Sequence, residues 1–450
     1  MSTLRYDRGT IVLDGPDAPP CDHFQWDARV RRWRAPACRY VDVVEALRSA
    51  GVADEAKAYA RLDDLRHLAT RTPRAYQEEA VAAWRANRWR GVVVLPTGAG
   101  KTYVAERVIA EARRSTLVLV PTLDLLSQWY GNLRAAFGRP IGVLGGGTHE
   151  LQDVTVSTYD SAAIHLDRYG DRFGLLVFDE AHHLPAPAYA RAAESSLAPL
   201  RLGLTATPER PDGQHLRLDA LVGPIVYRKE ISELAGEFLA EYRTEVVTVR
   251  LGDEEQERYD AARARFRGFV DAQGIRLGAP DGWRRFLMAS ARTREGRAAF
   301  KAFQESRAIA HGTERKVELV QALVAQEWGR RTLIFTNDNA TAYRIASRLL
   351  APCITHHTDV KERRAWIEAF GEGHLNVLVT SRVLNEGVDL PAAEVAIVVS
   401  GTSTVRESVQ RLGRILRPRA GKQAILYELV ADGTTETRAS ERRRDHDAYR

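Results

Sequence analysis

Residues 96–102 read PTGAGKT, and Lys101 is one of only seven lysines among 65 Lys and Arg residues. In a chain that otherwise uses arginine, this choice points to a compact ammonium on a slim stem rather than a planar fork. Gly98 and Gly100 permit the positive φ and close approach that turn backbone N–H groups toward an anion. An apolar run before them (VVVL, 92–95) and a helix-periodic run after them (YVAERVIAEA) place the turn between a strand and a helix N-terminus. That is the construction of a phosphate cradle, with Thr97, Gly98, Ala99, Gly100 and Lys101 around the phosphates and the Thr102 hydroxyl on Mg²⁺. Leu95 stands where the full GxxxxGKT pattern has its first glycine, so only the shorter GxGKT core remains.

A nucleotide site needs a second half, a carboxylate at the end of another buried strand, and LLVFDEAHH (175–183) supplies it. Asp179 is expected to hold the metal through water and Glu180 to orient and polarise the attacking water. Further on, VRESVQRLGRILRPR (405–419) sets Gln410, Arg414 and Arg417 at spacings of four and three on one helical face. Such guanidinium groups can meet the charge developing on a γ-phosphate. Taken singly, each segment has a plainer reading: a chance GKT loop, a solvated strand end, a basic solvated helix.

Two series of short β-branched runs alternating with helix-periodic segments would position these groups, the pattern of parallel βαβ sheets. The first comprises 92–95, 116–120, 154–158, 175–180 and 201–207, and the second 245–251, 332–336, 376–380, 395–400 and 424–430. The expected fold is therefore α/β with two tandem parallel-sheet lobes, over 71–231 and 232–431. Residues 1–70 read as a separate small domain, 253–310 as a helical insertion in the second lobe, and 432–450 as a fraying tail. Length alone suggests about three domains.

The net charge of +6 permits a polyanionic partner without demonstrating one. Cys21, Cys38 and Cys353 form no CxxC pair, which argues against zinc or iron–sulfur ligation. The apolar runs fall far short of the roughly 20 residues of a membrane span. The N-terminus shows no apolar signal region, so a cytoplasmic protein, monomeric in solution, is expected.

PTGAGKT, VFDEAHH, LTATP, LVTSRVLNEGVD and QRLGRILR, in this order, resemble the motifs of superfamily 2 helicases. RAYQEEAV, PTLDLLSQW, VSTYDSA, TLIFTND and LGLTATPERPDGQHLRLDALVGPIVYRKE narrow the resemblance to the XPB-type DEAH-box DNA helicases, in their short archaeal and bacterial form. The resemblance implies that the two lobes are RecA-like and the insertion thumb-like, with ATP and Mg²⁺ as cofactors, single-stranded, duplex or forked DNA as partner, and 3′ to 5′ movement, with a role in DNA repair. It assigns Arg74 and Gln77 to adenine sensing, and Gly387 and Asp389 to nucleotide contact from the second lobe. Gln410, Arg414 and Arg417 fall in its arginine-finger motif, and His182, Thr205 and Thr207 in the motifs that couple hydrolysis to lobe movement.

On the DNA side, Thr122, Gln128, Thr158, Asn337, Thr380 and Ser381 fall in phosphate-contacting motifs, where neutral donors hold the backbone without reading bases. Arg284 and Arg285 stand in the thumb-like insertion, beside Trp283 and Phe286, which either stack on bases or anchor helices. Arg210 and Asp212 match a strand-separating Arg-Glu-Asp element in which Pro211 replaces the glutamate, putting strand separation in question. A DNA translocase without strand separation, an RNA helicase and a nucleotide-gated DNA-binding module are the alternatives. A nuclease partner is suggested by family analogy alone.

Overall fold

The structure, a computed structural model, describes residues 2–15, 21–48, 50–68, 70–209, 213–234, 241–279, 281–381, 393–400, 423–437 and 440. Two compact units divide the chain, Met1–Lys229 and Glu230–Arg450.

The first unit holds two sheets. Its N-terminal sheet has five strands in the order Gln25–Asp27, Arg32–Pro36, Thr10–Asp14, Thr3–Asp7, Ala53–Asp54. Alternation in the central strands points Leu4, Ile11, Leu13 and Ala35 to one face, where Tyr40 and Val43 of the helix Tyr40–Ala46 close a small core. Leu197 of the neighbouring sheet layer belongs to the same core, and the Tyr6 hydroxyl lies 2.8 Å from Leu166 O and 2.9 Å from Ser195 O. The small domain expected over 1–70 thus has its own sheet but is sewn into the first unit. Residues 60–62 run along 113–115, with Ser115 N donating to Ala60 O and Leu62 N to Arg113 O, each at 3.0 Å.

The larger sheet has eight strands in the order Ile225–Arg228, Arg90–Val94, Leu200–Thr205, Leu175–Asp179, Thr116–Val120, Val154–Thr158, Gly142–Gly145, Thr148–Glu150. Every pair is parallel except the last, a hairpin. The five strands expected from apolar runs lie together at its centre, because helices cover both faces of such strands and demand continuous apolar sequence. The three unanticipated strands are short and lie outside these five, Ile225–Arg228 at one edge and Gly142–Gly145 with Thr148–Glu150 at the other, where Thr148–Glu150 is exposed along its length. At the base of the sheet Arg201 is wholly buried, donating to the carbonyls of Ala193, Ser196, Ala198 and Leu221. Burial, reinforced by the charge of Arg90, pulls its pKa down to about 9.

The second unit carries six parallel strands in the order Glu241–Val249, Gln423–Ala431, Val395–Val398, Thr332–Phe335, Val377–Thr380, Cys353–Ile354. All five expected runs are strands here, the first beginning at 241 instead of 245. The insertion is three helices, Asp253–Ala272, Gly282–Arg292 and Arg294–Gly312. Glu255 closes its two ends together, accepting from Gly252 N at 3.2 Å and from the Thr313 hydroxyl at 2.5 Å. Phe286 is fully buried with Phe266 in the insertion's own core, so of the two roles left open for it the structure selects helix anchoring; Trp283 is 42% exposed. Beyond the last strand the expected fraying does not begin at 432: Thr434, Glu436 and Ser440 are buried. The Glu436 carboxylate is the counter-charge of a buried lysine, Lys316, which the polar composition of the tail does not reveal.

Candidate nucleotide-binding site

The strand Arg90–Val94 delivers the glycine turn to the carboxyl edge of the first unit's larger sheet, where ligands of open parallel sheets bind. Leu95 fits its position as a strand residue: it is fully buried, and its N–H donates to Thr205 O at 3.0 Å. Gly98 and Gly100 have φ of +85° and +84°, and Gly100 caps the helix Lys101–Ala112. A Cβ at Gly100 would come within 2.5 Å of Gln77 Nε2, so glycine is required there twice over. Lys101 Nζ donates to Leu95 O at 3.1 Å, within the loop it serves. Thr97 Oγ1 is buried with no hydrogen-bond partner among the described residues. A buried hydroxyl without a protein acceptor, beside a positive-φ turn, a lysine and a helix N-terminus, fits a nucleotide phosphate.

The helix Ala75–Ala86 braces this turn from behind. Gln77 Nε2 and the Tyr76 hydroxyl both donate to Ala99 O, at 3.0 and 2.7 Å, and Arg74 Nη1 donates to the Tyr76 oxygen at 2.9 Å. Gln77 Oε1 accepts from Arg74 N at 3.1 Å. Of the two residues expected at the base, Gln77 is therefore bonded directly to the glycine turn and Arg74 reaches it through Tyr76, which sequence reasoning passed over. Its only signal was its place inside RAYQ. A cleft of about 240 Å³ opens beside Gln77, lined also by Pro73, Arg85 and Arg107.

Asp179 ends the strand Leu175–Asp179, one strand removed from the one that delivers the glycine turn. Its Oδ2 accepts from Trp129 Nε1 at 2.7 Å and its Oδ1 from Glu180 N at 3.0 Å. Burial raises its pKa, opposed by the Trp129 hydrogen bond and the charge of Lys101. Trp129 is a second residue the sequence reading did not single out, although PTLDLLSQW contains it. Glu180 adopts φ 47° and ψ 53°, a left-handed conformation uncommon for glutamate and of a kind that collects at active sites.

His182, fully buried, stands 3.0 Å from Thr205 Oγ1 through Nδ1, and the same nitrogen is 3.4 Å from Glu180 Oε2. The Thr205 hydroxyl gives its proton to Thr207 O at 3.1 Å, so it accepts from His182 and from Thr207 N, which places a proton on Nδ1. His182, Thr205 and Thr207, the residues expected to couple hydrolysis to movement, are thus hydrogen-bonded in series, with the Glu180 carboxylate beside His182. Thr102, half-buried, is the second residue of the Lys101–Ala112 helix. With Asp179 it makes up the donor set available for Mg²⁺.

Of the DNA candidates, Thr122 and Thr158 sit at the carboxyl ends of adjacent strands and cap the helices that follow, accepting from Leu125 N at 3.3 Å and Ser161 N at 3.2 Å. Gln128 is half-buried beside Trp129. In the second unit Thr380, Ser381 and Asn337 are buried at strand ends; the Thr380 hydroxyl donates to Ser381 O at 2.8 Å, and Asn337 N donates to Ser400 Oγ at 2.8 Å. Arg284 and Arg285 are exposed on the insertion. Arg210, Asp212, Gly387, Asp389, Gln410, Arg414 and Arg417 lie outside the described residues.

Among the described residues no helix is long and apolar enough to cross a membrane. Three family models match the chain: the type III restriction enzyme res subunit over residues 70–210, the xeroderma pigmentosum group B helicase damage recognition domain over 4–58, and the ERCC3/RAD25/XPB C-terminal helicase over 303–447. The DNA 3′-5′ translocase XPB2 of Sulfurisphaera tokodaii is 40% identical over 448 residues, covering 99% of this chain and 100% of that protein. The DNA 3′-5′ helicase XPB of Mycobacterium tuberculosis is 32% identical over 80% of this chain, which spans 60% of that longer protein. In fold alone, the Hef helicase domain of Pyrococcus furiosus matches with a TM-score of 0.54 at 22% identity, over 82% of this chain and 97% of that one. The chain belongs to the XPB family of superfamily 2 helicases.

Proposed function

We propose that this chain is a DNA-dependent ATPase that moves 3′ to 5′ along DNA, the activity named for its archaeal and bacterial relatives. The observation that carries this reading is the joint placement of the Thr97–Lys101 cradle and the Asp179–Glu180 pair at the carboxyl edge of one sheet. Thr97, Gly98, Ala99, Gly100 and Lys101 bind the phosphates, and the cleft beside Gln77 takes the adenine, so that Gln77 and Tyr76 report its arrival to Ala99. Thr102 and Asp179 hold Mg²⁺, which would neutralise phosphate charge. Glu180 orients the attacking water and accepts its proton, His182 relays the change to Thr205 and Thr207, and Arg414 and Arg417, with Gln410, meet the γ-phosphate. Gly387 and Asp389 complete the nucleotide contacts.

Thr122, Gln128, Thr158, Asn337, Thr380 and Ser381 follow the DNA backbone, and Arg284 and Arg285 hold duplex or forked DNA. The protein acts as a cytoplasmic monomer, with a nuclease the partner that family analogy favours. The Pro211 substitution between Arg210 and Asp212 favours a second reading of the same engine, translocation without strand separation. The test is ATP hydrolysis and strand displacement on single-stranded, blunt and forked DNA. DNA-stimulated hydrolysis abolished by Lys101→Ala or Glu180→Gln supports the reading, and full hydrolysis in either variant refutes it. Hydrolysis without displacement selects the second reading.

A further inference from the structure

A second lysine stands apart in this arginine-rich chain. Lys316, on the helix Glu314–Gln326, is fully buried, so its ammonium must be matched by protein groups. Nζ donates to Val399 O at 2.8 Å and to Glu436 Oε2 at 2.6 Å. The same Glu436 oxygen accepts from Ala431 N at 2.9 Å, and its Oε1 lies 3.9 Å from His311 Nε2. On its other side, His311 Nδ1 faces Asn337 Nδ2 at 3.4 Å. An amide nitrogen can only donate, so Nδ1 accepts and the ring proton sits on Nε2, toward Glu436. Asn337 N in turn donates to Ser400 Oγ at 2.8 Å.

Five places, spread over residues 311–436, meet in this network. They are the last turn of the thumb-like insertion (His311), the helix after it (Lys316), and the carboxyl end of the strand Thr332–Phe335 (Asn337). The other two are the end of Val395–Val398 (Val399 and Ser400) and the segment beyond the last strand (Glu436). Two of them border proposed machinery. Asn337 is a DNA-contact candidate, and Ser400 leads in sequence directly into the stretch that bears Arg414 and Arg417. A buried ion pair is a poor way to gain stability, because desolvating both charges offsets most of their attraction; what it does well is fix one geometry.

We propose that Lys316 and Glu436 are positioning residues for DNA-stimulated ATP hydrolysis. They hold the Val399–Ser400 turn in register with Asn337 and His311, so that DNA engaged at Asn337 and the insertion biases the chain that enters the arginine-bearing segment. This rests on the function proposed above.

The test is steady-state ATPase of the full chain with and without single-stranded DNA, alongside Tm. Lys316→Met and Glu436→Gln singly strand a buried polar or charged group and should lower Tm, whereas the double variant, neutral at both positions, should recover most of it. In the double variant basal kcat and the KM for ATP are expected to stay parental while the DNA-stimulated kcat falls about tenfold. His311→Leu, which keeps the ion pair and severs its link to Asn337, should lower stimulation in the same direction. Parental DNA stimulation in either the double variant or His311→Leu overturns the proposal. A parent chain without DNA-stimulated hydrolysis defeats the underlying function instead, a separate result.

Discussion

The two parallel sheets end in different chemistry. At the carboxyl edge of the first unit's larger sheet stand a lysine, two acids of which the glutamate is in left-handed conformation, glycines at positive φ and a buried hydroxyl without a partner among the described residues. Among the described residues at the same edge of the second unit's sheet stand the neutral groups Thr336, Asn337, Thr380, Ser381 and Ser400, several of which bond backbone, with Asp338 capping the helix that follows; Thr336 Oγ1, for example, donates to Asp338 O at 2.9 Å. A parallel sheet supplies the location of a site, and the side chains at its strand ends decide whether that location makes and breaks bonds or holds a polymer. Charge and strain at the first edge support the proposal that turnover takes place there. Satisfied hydroxyls and amides suit the second to docking and relay.

The largest expected effect tests this contrast directly. Glu180→Gln should reduce kcat by on the order of a thousandfold, because it removes the proton acceptor and keeps the shape. Thr380→Val at the other edge should leave basal hydrolysis near parental and raise the DNA concentration for half-maximal stimulation by about fivefold or less. Equal losses of kcat in the two variants would erase the distinction between the edges.

A smaller effect, about tenfold in kcat or in the Mg²⁺ concentration for half-maximal rate, is expected for Trp129→Phe, which deletes the N–H held by Asp179. Magnesium titrations of parent and variant read it, and an unchanged Mg²⁺ dependence with parental kcat would remove Trp129 from the site.

Arg201→Met probes the opposite end of the strand that carries Thr205. It leaves several helix-end and loop carbonyls unsatisfied and should cost about 3 kcal/mol of stability with kcat nearly parental. Denaturant unfolding paired with ATPase measures both, and a large loss of kcat without loss of stability would show that the sheet's base and its catalytic edge are not separable. Tyr6→Phe, the mildest, should cost about 1 kcal/mol and increase proteolytic cleavage in the 55–70 connection. Unchanged cleavage would mean that the N-terminal sheet does not depend on this hydroxyl for its docking.

Much of the scaffold was legible in the sequence because central parallel strands, covered on both faces, must be continuous runs of valine, isoleucine and leucine. Thr116–Val120 and Val154–Thr158 coincide with the runs that announced them. The short edge strands Thr148–Glu150 and Cys353–Ile354 bury too little to leave such a mark. Within the site, Gly98, Gly100, Lys101, Asp179 and Glu180 could be named because each is fixed by its immediate chain context, a turn between strand and helix or the end of an apolar run.

The groups that hold those residues in place were not legible, since they meet across long stretches of chain. Trp129 reaches Asp179 over 50 positions, Lys316 reaches Glu436 over 120, and Tyr6 reaches Ser195 over 189. The sequence by itself determined where the glycine turn and the acidic strand end fall and which segments become buried strands, because both follow from local patterns of charge, glycine and β-branched side chains. Only the tertiary structure decided which tryptophan bonds the Asp179 carboxylate, which tyrosine braces the glycine turn and which glutamate neutralises a buried lysine. Those pairings are set by the packing of elements against one another, and the periodicity of a single segment carries no record of its distant neighbours.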